Sequence, residues 1–181
     1  MALTYPLQPV RLAELRPSNV GEGATVTLDP AATFSRGDLI QLDATGRATN
    51  LAAVGATQVR VALAMEDAVD SSHRGAGPNF PTAKPTVTVL DVRRREIVIS
   101  SSGAAFAPAT HLGVDRPVVR DASGRSRVDL ADTLPANATV RIKRVFEESL
   151  RATNGSFGIG RAGDTGVLLV CEVLDAKAAV I

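Results

Sequence analysis

Three sets of residues in this chain could carry chemistry. Gly158-Ile159-Gly160-Arg161-Ala162-Gly163 has the glycine spacing of a phosphate-cradling loop, and Asp164-Thr165-Gly166 has the form of the aspartic-protease triplet. His73, His111 and Cys171 are the residues able to ligate a metal or act as nucleophile or base. Each lacks the context its chemistry needs. A dinucleotide-binding loop follows a strand and opens a helix whose N-terminus meets the pyrophosphate, whereas Gly163 leads through Asp164-Thr165-Gly166 into an apolar, strand-like run. Aspartic proteases share a proton between two carboxylates; the chain has no second Asp-Thr/Ser-Gly, and Gly160-Arg161-Ala162-Gly163 replaces the apolar strand expected before the first. The two histidines have no Cys, His or carboxylate at ligand spacing and read as surface residues. The single Cys171, inside the run Gly166 to Leu174, reads as a small buried hydrophobe. An enzyme would have to draw on the scattered Asp38, Asp164, His111 and Cys171, so the expectation is a protein without catalytic residues, cofactor or metal.

Charge points the same way. Twenty Lys and Arg stand against nineteen Asp and Glu, a net charge of +1, which gives no general attraction to nucleic acid or to an anionic membrane. The local basic cluster Arg93-Arg94-Arg95 has no interleaved aromatics for base stacking and reads as a solvated or ion-pairing interface. Arg36-Gly37-Asp38 matches an adhesion tripeptide, but turn formation at a strand entry explains it better. The N-terminus lacks a secretory pattern, because Pro6 and Pro9 interrupt it and Arg11, Glu14 and Arg16 follow. No apolar run approaches the eighteen residues of a spanning helix. The expectation is a protein made in the cytoplasm with no membrane partner.

The elements that would position these residues read as β. Hydrophobic residues make up 45% of 181, yet aromatics only 3%, so the core is built from Val, Leu, Ile and Ala. Strands are predicted at 25–28, 39–42, 59–65, 86–89, 97–99, 118–120, 128–130, 139–146 and 167–174, each bounded by turn formers. Short helices are predicted over 104–107 and 146–152. Long loops are expected over 70–84 and 154–166. A hairpin phrase occurs twice: Arg36-Gly37-Asp38-Leu39-Ile40-Gln41-Leu42-Asp43-Ala44-Thr45-Gly46-Arg47 returns as Leu112-Gly113-Val114-Asp115-Arg116-Pro117-Val118-Val119-Arg120-Asp121-Ala122-Ser123-Gly124-Arg125. In both, Asp can cap a turn through its side chain and Gly accepts positive φ. One hairpin cannot bury its own apolar face, so duplication implies a sheet or barrel. Residues 1–20, broken by Pro6, Pro9 and Pro17 but rich in Leu, read as an extended arm lying on its own barrel or a neighbour. The expected fold is mainly β: a single antiparallel β-barrel or sandwich domain over 21–181, with duplicated hairpins, the arm over 1–20 and long loops.

These hairpins, together with Val61-Ala62-Leu63-Ala64-Met65-Glu66 and Ile159-Gly160-Arg161-Ala162-Gly163-Asp164-Thr165-Gly166-Val167, resemble the small β-barrel decoration (cement) proteins of tailed bacteriophage capsids. Val114-Asp115-Arg116-Pro117 departs from that pattern. The resemblance implies a structural virion protein on the capsid exterior that stabilises the assembled shell by bridging major capsid protein subunits, as a homo-oligomer, expected to be a trimer, with no turnover chemistry. The alternative is a low-copy tail, head-completion or fibre-base protein. On this reading Leu3, Tyr5, Leu7 and Val10 of the arm, with Arg93, Arg94 and Arg95, form the interface, and deleting residues 1–10 removes binding while leaving the barrel folded.

Overall fold

The computed structural model describes residues 2–13, 23–52, 58, 60–68, 86–93, 95–147 and 150–179. Its strands, in chain order, are β1 (Arg11–Leu12), β2 (Ala24–Thr27), β3 (Leu39–Leu42), β4 (Ala48–Asn50), β5 (Val61–Ala64), β6 (Thr86–Asp91), β7 (Glu96–Ser102), β8 (Asp115–Arg116), β9 (Val118–Arg120), β10 (Ser126–Asp129), β11 (Val140–Val145), β12 (Leu150–Arg151), β13 (Phe157–Gly158) and β14 (Leu168–Val173). The protein is mainly β, as its alternating apolar pattern predicts.

The larger sheet runs β8-β11-β14-β7-β10-β9, with β1 added against β7. Its two ends are one stretch of chain. Residues 115–120 bend at Pro117, so that β8 pairs with β11 and β9 pairs with β10, and the sheet is nearly closed into a barrel. Proline suits this corner because it has no N–H to offer either ladder, while its carbonyl accepts the Asp129 N–H at 3.0 Å. The departure seen in the second hairpin phrase is therefore the barrel's closing corner. All pairings are antiparallel except β7 with β10. A second, antiparallel sheet runs β2-β6-β5-β3-β4, and Leu28, just past β2, bridges back to Ala48 of β4. The pair β12–β13 stands as a small hairpin.

Period-two alternation explains how one strand serves two cores. In β7 and β14, Ile97, Ile99, Leu169, Cys171 and Val173 face the main cluster with Val140 and Ile142. Val98, Leu168 and Val170 face the other way, under Ala13, Phe146 and Leu150. In β5, Val61 and Leu63 join the main cluster while Ala62 and Ala64 join Phe34, Ile40, Leu42, Val87 and Val89 in a second. Strands covered on both faces carry no polar alternation, which is why 61–64 reads as continuous apolar sequence.

Two helix expectations fail. No helix forms at the described residues 146–147 and 150–152: the Phe146 N–H donates to Leu168 O and Leu150–Arg151 forms β12, so sheet pairing overrides local propensity. The helix expected at 104–107 lies four residues on, as α1 (Pro108–His111), because Pro108 supplies the first helical position. The loop expected over 70–84 lies outside the described residues.

Candidate functional site

The duplicated phrase folds into the same turn twice. In the first copy, the Asp43 N–H donates to Arg47 O and the Gly46 N–H to Asp43 O. Asp43 Oδ1 accepts from the Thr45 N–H, the Thr45 hydroxyl and the Arg47 N–H at 2.7–2.9 Å. In the second, Asp121, Ser123, Gly124 and Arg125 repeat every one of these bonds at 2.6–2.9 Å. Gly46 and Gly124 sit at φ 84° and 80°, where a side chain would be strained. The Thr45 hydroxyl and the Arg47 amide hold the Asp43 carboxyl well below the usual carboxylate range. Partial burial pushes Asp121 up, but the Ser123 hydroxyl, the Arg125 amide and the Arg127 charge outweigh it and lower it.

The two copies dock on each other through a buried polar seam. Asp38, 2% exposed, accepts the Ser35 N–H at 2.8 Å and faces Arg125 Nη1 at 3.6 Å. The Leu39 N–H donates to Ser126 Oγ at 2.9 Å, and Arg125 Nη1 donates to Arg36 O at 3.0 Å. Arg127, 2% exposed, places Nε 3.0 Å from Asp121 Oδ2 as an ion pair, while Nη1 donates to Gln8 O and Ser126 O at 3.0 and 2.7 Å. Burial lowers this guanidinium's pKa; the Asp121 and Asp38 carboxylates oppose that. One side chain thus ties the arm to the second hairpin.

The arm, over 2–13, lies on its own chain. Thr4 bridges Thr165 in parallel; the Tyr5 N–H donates to Thr165 O and the Thr165 N–H to Leu3 O, both at 2.9 Å. Asp164, 2% exposed, is the latch: Oδ1 accepts the Leu3 N–H at 2.7 Å, and Oδ2 accepts the Arg161 N–H at 2.9 Å and the Tyr5 hydroxyl at 3.3 Å. Burial, then the Asp164 charge, raises the Tyr5 phenol. Further along, the Gln8 N–H donates to Ser100 Oγ, the Val10 N–H to Gly37 O, and Arg11–Leu12 joins the sheet. The string of glycines therefore builds a cradle for the arm. Gly166, at φ 68°, would press an added Cβ into the main chain of Tyr5. Gly166→Ala is expected to cost about 1–2 kcal/mol from backbone conformation alone, and to raise protease cleavage within residues 2–12; an unchanged digestion pattern would contradict the cradle. At its mouth, Ala2, Leu3, Gly158, Ile159, Arg161, Ala162 and Asp164 line a cavity of about 310 Å³.

The structure disperses the residues singled out for chemistry. Asp164 is spent on the arm, Asp38 on the hairpin seam, and Cys171 is buried in the barrel, where loss of hydration pushes its thiol up. His111 is a correction: it is 7% exposed, tucked against Phe106, with Nδ1 accepting the Ala107 N–H at 3.0 Å. His73 lies outside the described residues. Among the described residues no group of three His, Cys, Asp or Glu could hold a metal. No described helix is long and apolar enough to cross a membrane.

Of the residues expected at an interface, Tyr5 and Val10 are 1% and 3% exposed and belong to the main core, Leu3 is partly buried against it, and Leu7 is 44% exposed. With Tyr5 and Val10 in the core, removing residues 1–10 would open the barrel's own packing, contrary to the expectation that it leaves the barrel untouched. Arg93 grips Asp91 through Nε and Nη2 at 2.9 and 2.6 Å, in the turn joining β6 to β7. Arg94 lies outside the described residues, and Arg95 closes the turn with its N–H on Val92 O. Arg127 and Gln58 escaped the sequence reading. Gln58, 2% exposed, donates to Ala52 O and Val118 O and accepts the Thr139 hydroxyl; a polar residue just before the apolar run 61–65 was the available signal for Gln58, and Arg127, among Arg125, Ser126 and Asp129, had none. The chain matches no protein-family model, no curated protein and no solved structure.

Proposed function

We propose that this chain is a structural protein of a tailed-phage virion, bound to the outside of the assembled capsid, where it stabilises the shell by bridging major capsid protein subunits. It acts without turnover chemistry, cofactor, nucleic acid or membrane, and associates as a homotrimer. The observation that carries the reading is the hairpin duplication: two copies of one Asp-capped turn, docked through Asp38, Arg125 and Ser126, with the arm fastened across them by Arg127. Such construction suits a part that must keep its shape under load. The buried Asp38, Asp164 and Arg127 are committed to internal bonds, which suits a scaffold better than a reaction centre.

Leu7 is the arm's exposed large apolar side chain and supplies the contact to the capsid in this reading. Full-length protein mixed with capsids lacking it should cosediment, and Leu7→Asp should weaken that binding roughly tenfold, the effect of about 1.4 kcal/mol, without lowering Tm. Equal binding by Leu7→Asp would remove the arm from the interface; failure of the unaltered protein to cosediment would overturn the capsid role itself.

A further inference from the structure

Three contacts in series connect His111 to the arm. His111 closes α1 on itself: its N–H donates to Ala107 O at 2.9 Å, and its Nδ1 accepts the Ala107 N–H at 3.0 Å. The preceding residue, Phe106, is held by the cradle loop, donating its N–H to Asp164 O and accepting the Gly163 N–H, both at 2.8 Å. Asp164 in turn holds the Leu3 N–H and the Tyr5 hydroxyl. The acceptor at Nδ1 exists only while the imidazole is neutral, because the protonated ring donates from both nitrogens. Protonation would set two donors, Nδ1–H and Ala107 N–H, against each other. It would also place a second cation beside Arg116 of β8, the charged group that acts on His111. The carboxylates flanking Arg116 are engaged elsewhere: Asp115 with Arg141 at 2.7 Å, and Asp132 with the Leu134 N–H and the Asn137 amide at 2.8 Å. The Phe106 ring is centred 5.9 Å away.

We propose that His111 is an acid-sensitive catch for the N-terminal arm: its protonation releases the Ala107 N–H, loosens the Phe106 strap on Gly163–Asp164, and frees residues 2–5 from the cradle. This is independent of the capsid reading. The sign follows from linkage. Burial, then Arg116, lowers the His111 pKa in the latched state below the ordinary 6.5. The latched form therefore binds the proton less tightly than the released form, and is favoured above the ordinary histidine range and disfavoured as pH falls through and below it.

The test is hydrogen exchange on the full-length chain, read as protection factors at the Leu3 and Tyr5 amides. Between about pH 7.5 and about pH 5, ordinary carboxylates stay ionised while histidine titrates. Protection at Leu3 and Tyr5 is expected to fall at least about tenfold over that window, within the limit one titrating imidazole allows, while Ile97 and Leu169 in the barrel stay protected. His111→Asn, which keeps an acceptor oxygen near the Nδ1 position at every pH, should hold the arm in place at both. If protection at Leu3 and Tyr5 does not fall in the unaltered protein, the catch is disproved. An equal fall in folded His111→Asn would place the trigger elsewhere and overturn the assignment. Should His111→Asn not fold, direct titration of the His111 ring by NMR decides, since the catch requires arm release to follow that ring's own midpoint.

Discussion

Arg127→Ala is expected to destabilise the protein by about 3–5 kcal/mol, the usual consequence of removing one partner from a buried ion pair. The guanidinium is 2% exposed and makes one close ion pair and two main-chain hydrogen bonds. Its loss leaves the Asp121 charge and the Gln8 carbonyl facing an unfilled space in a region closed to water. Arg127→Lys is expected to recover little, because an ammonium at the end of a flexible stem cannot span Asp121 and Gln8 as a planar fork does. Asp121 also caps the second turn, so the damage should spread to the β9–β10 hairpin and to the arm together. Chemical denaturation measures the loss, and exchange at the Gln8 and Val10 amides locates it. A change below about 1 kcal/mol would mean that the seam behaves as a solvated surface pair.

The second large effect is at Tyr5. Truncating a buried aromatic ring to alanine typically costs about 3–5 kcal/mol, and Tyr5 is 1% exposed at the point where arm, cradle and main core meet. Tyr5→Ala is expected to fall in that range and to leave residues 2–10 open to protease. Tyr5→Phe keeps the ring and gives up one hydrogen bond, at a cost of about 1 kcal/mol, because Asp164 Oδ2 retains the Arg161 N–H. Comparing the two by thermal unfolding separates packing from polar latching. If Tyr5→Ala were as stable as the unaltered protein, the arm would be an appendage and not part of the domain.

Much of this architecture is legible in the sequence, for identifiable reasons. Strands β3 and β9 are read at the bounds found, Leu39–Leu42 and Val118–Arg120, since each runs into a turn whose Asp, Ser/Thr and Gly have specific jobs. The duplication is equally visible, because turn chemistry is local. What is lost is whatever depends on distant partners. The two-residue strands β8, β12 and β13 have no periodicity to detect and exist only through their neighbours. The sequence of 146–152 favours helix locally, but Phe146 is claimed by β14 and Leu150–Arg151 by β13. Asp164 stands in a protease-like triplet, while its role, holding Leu3 of the arm 161 residues away in sequence, has no local signature. Arg127 alternates with Val128 and Leu130 of the core, so the sequence pattern places it on the outer face, and nothing nearby names Asp121 and Gln8 as the partners that bury it.

As a structural part of a capsid shell, this chain would be present in the virion in fixed proportion to the major capsid protein. Quantitative mass spectrometry of purified virions from its source tests this most directly, as the molar ratio of this chain to the major capsid protein. The expected ratio is near one to one, or a simple fraction fixed by capsid symmetry. A few copies per particle would contradict it in favour of a tail, head-completion or fibre-base part, and absence from the virion would remove the capsid reading altogether.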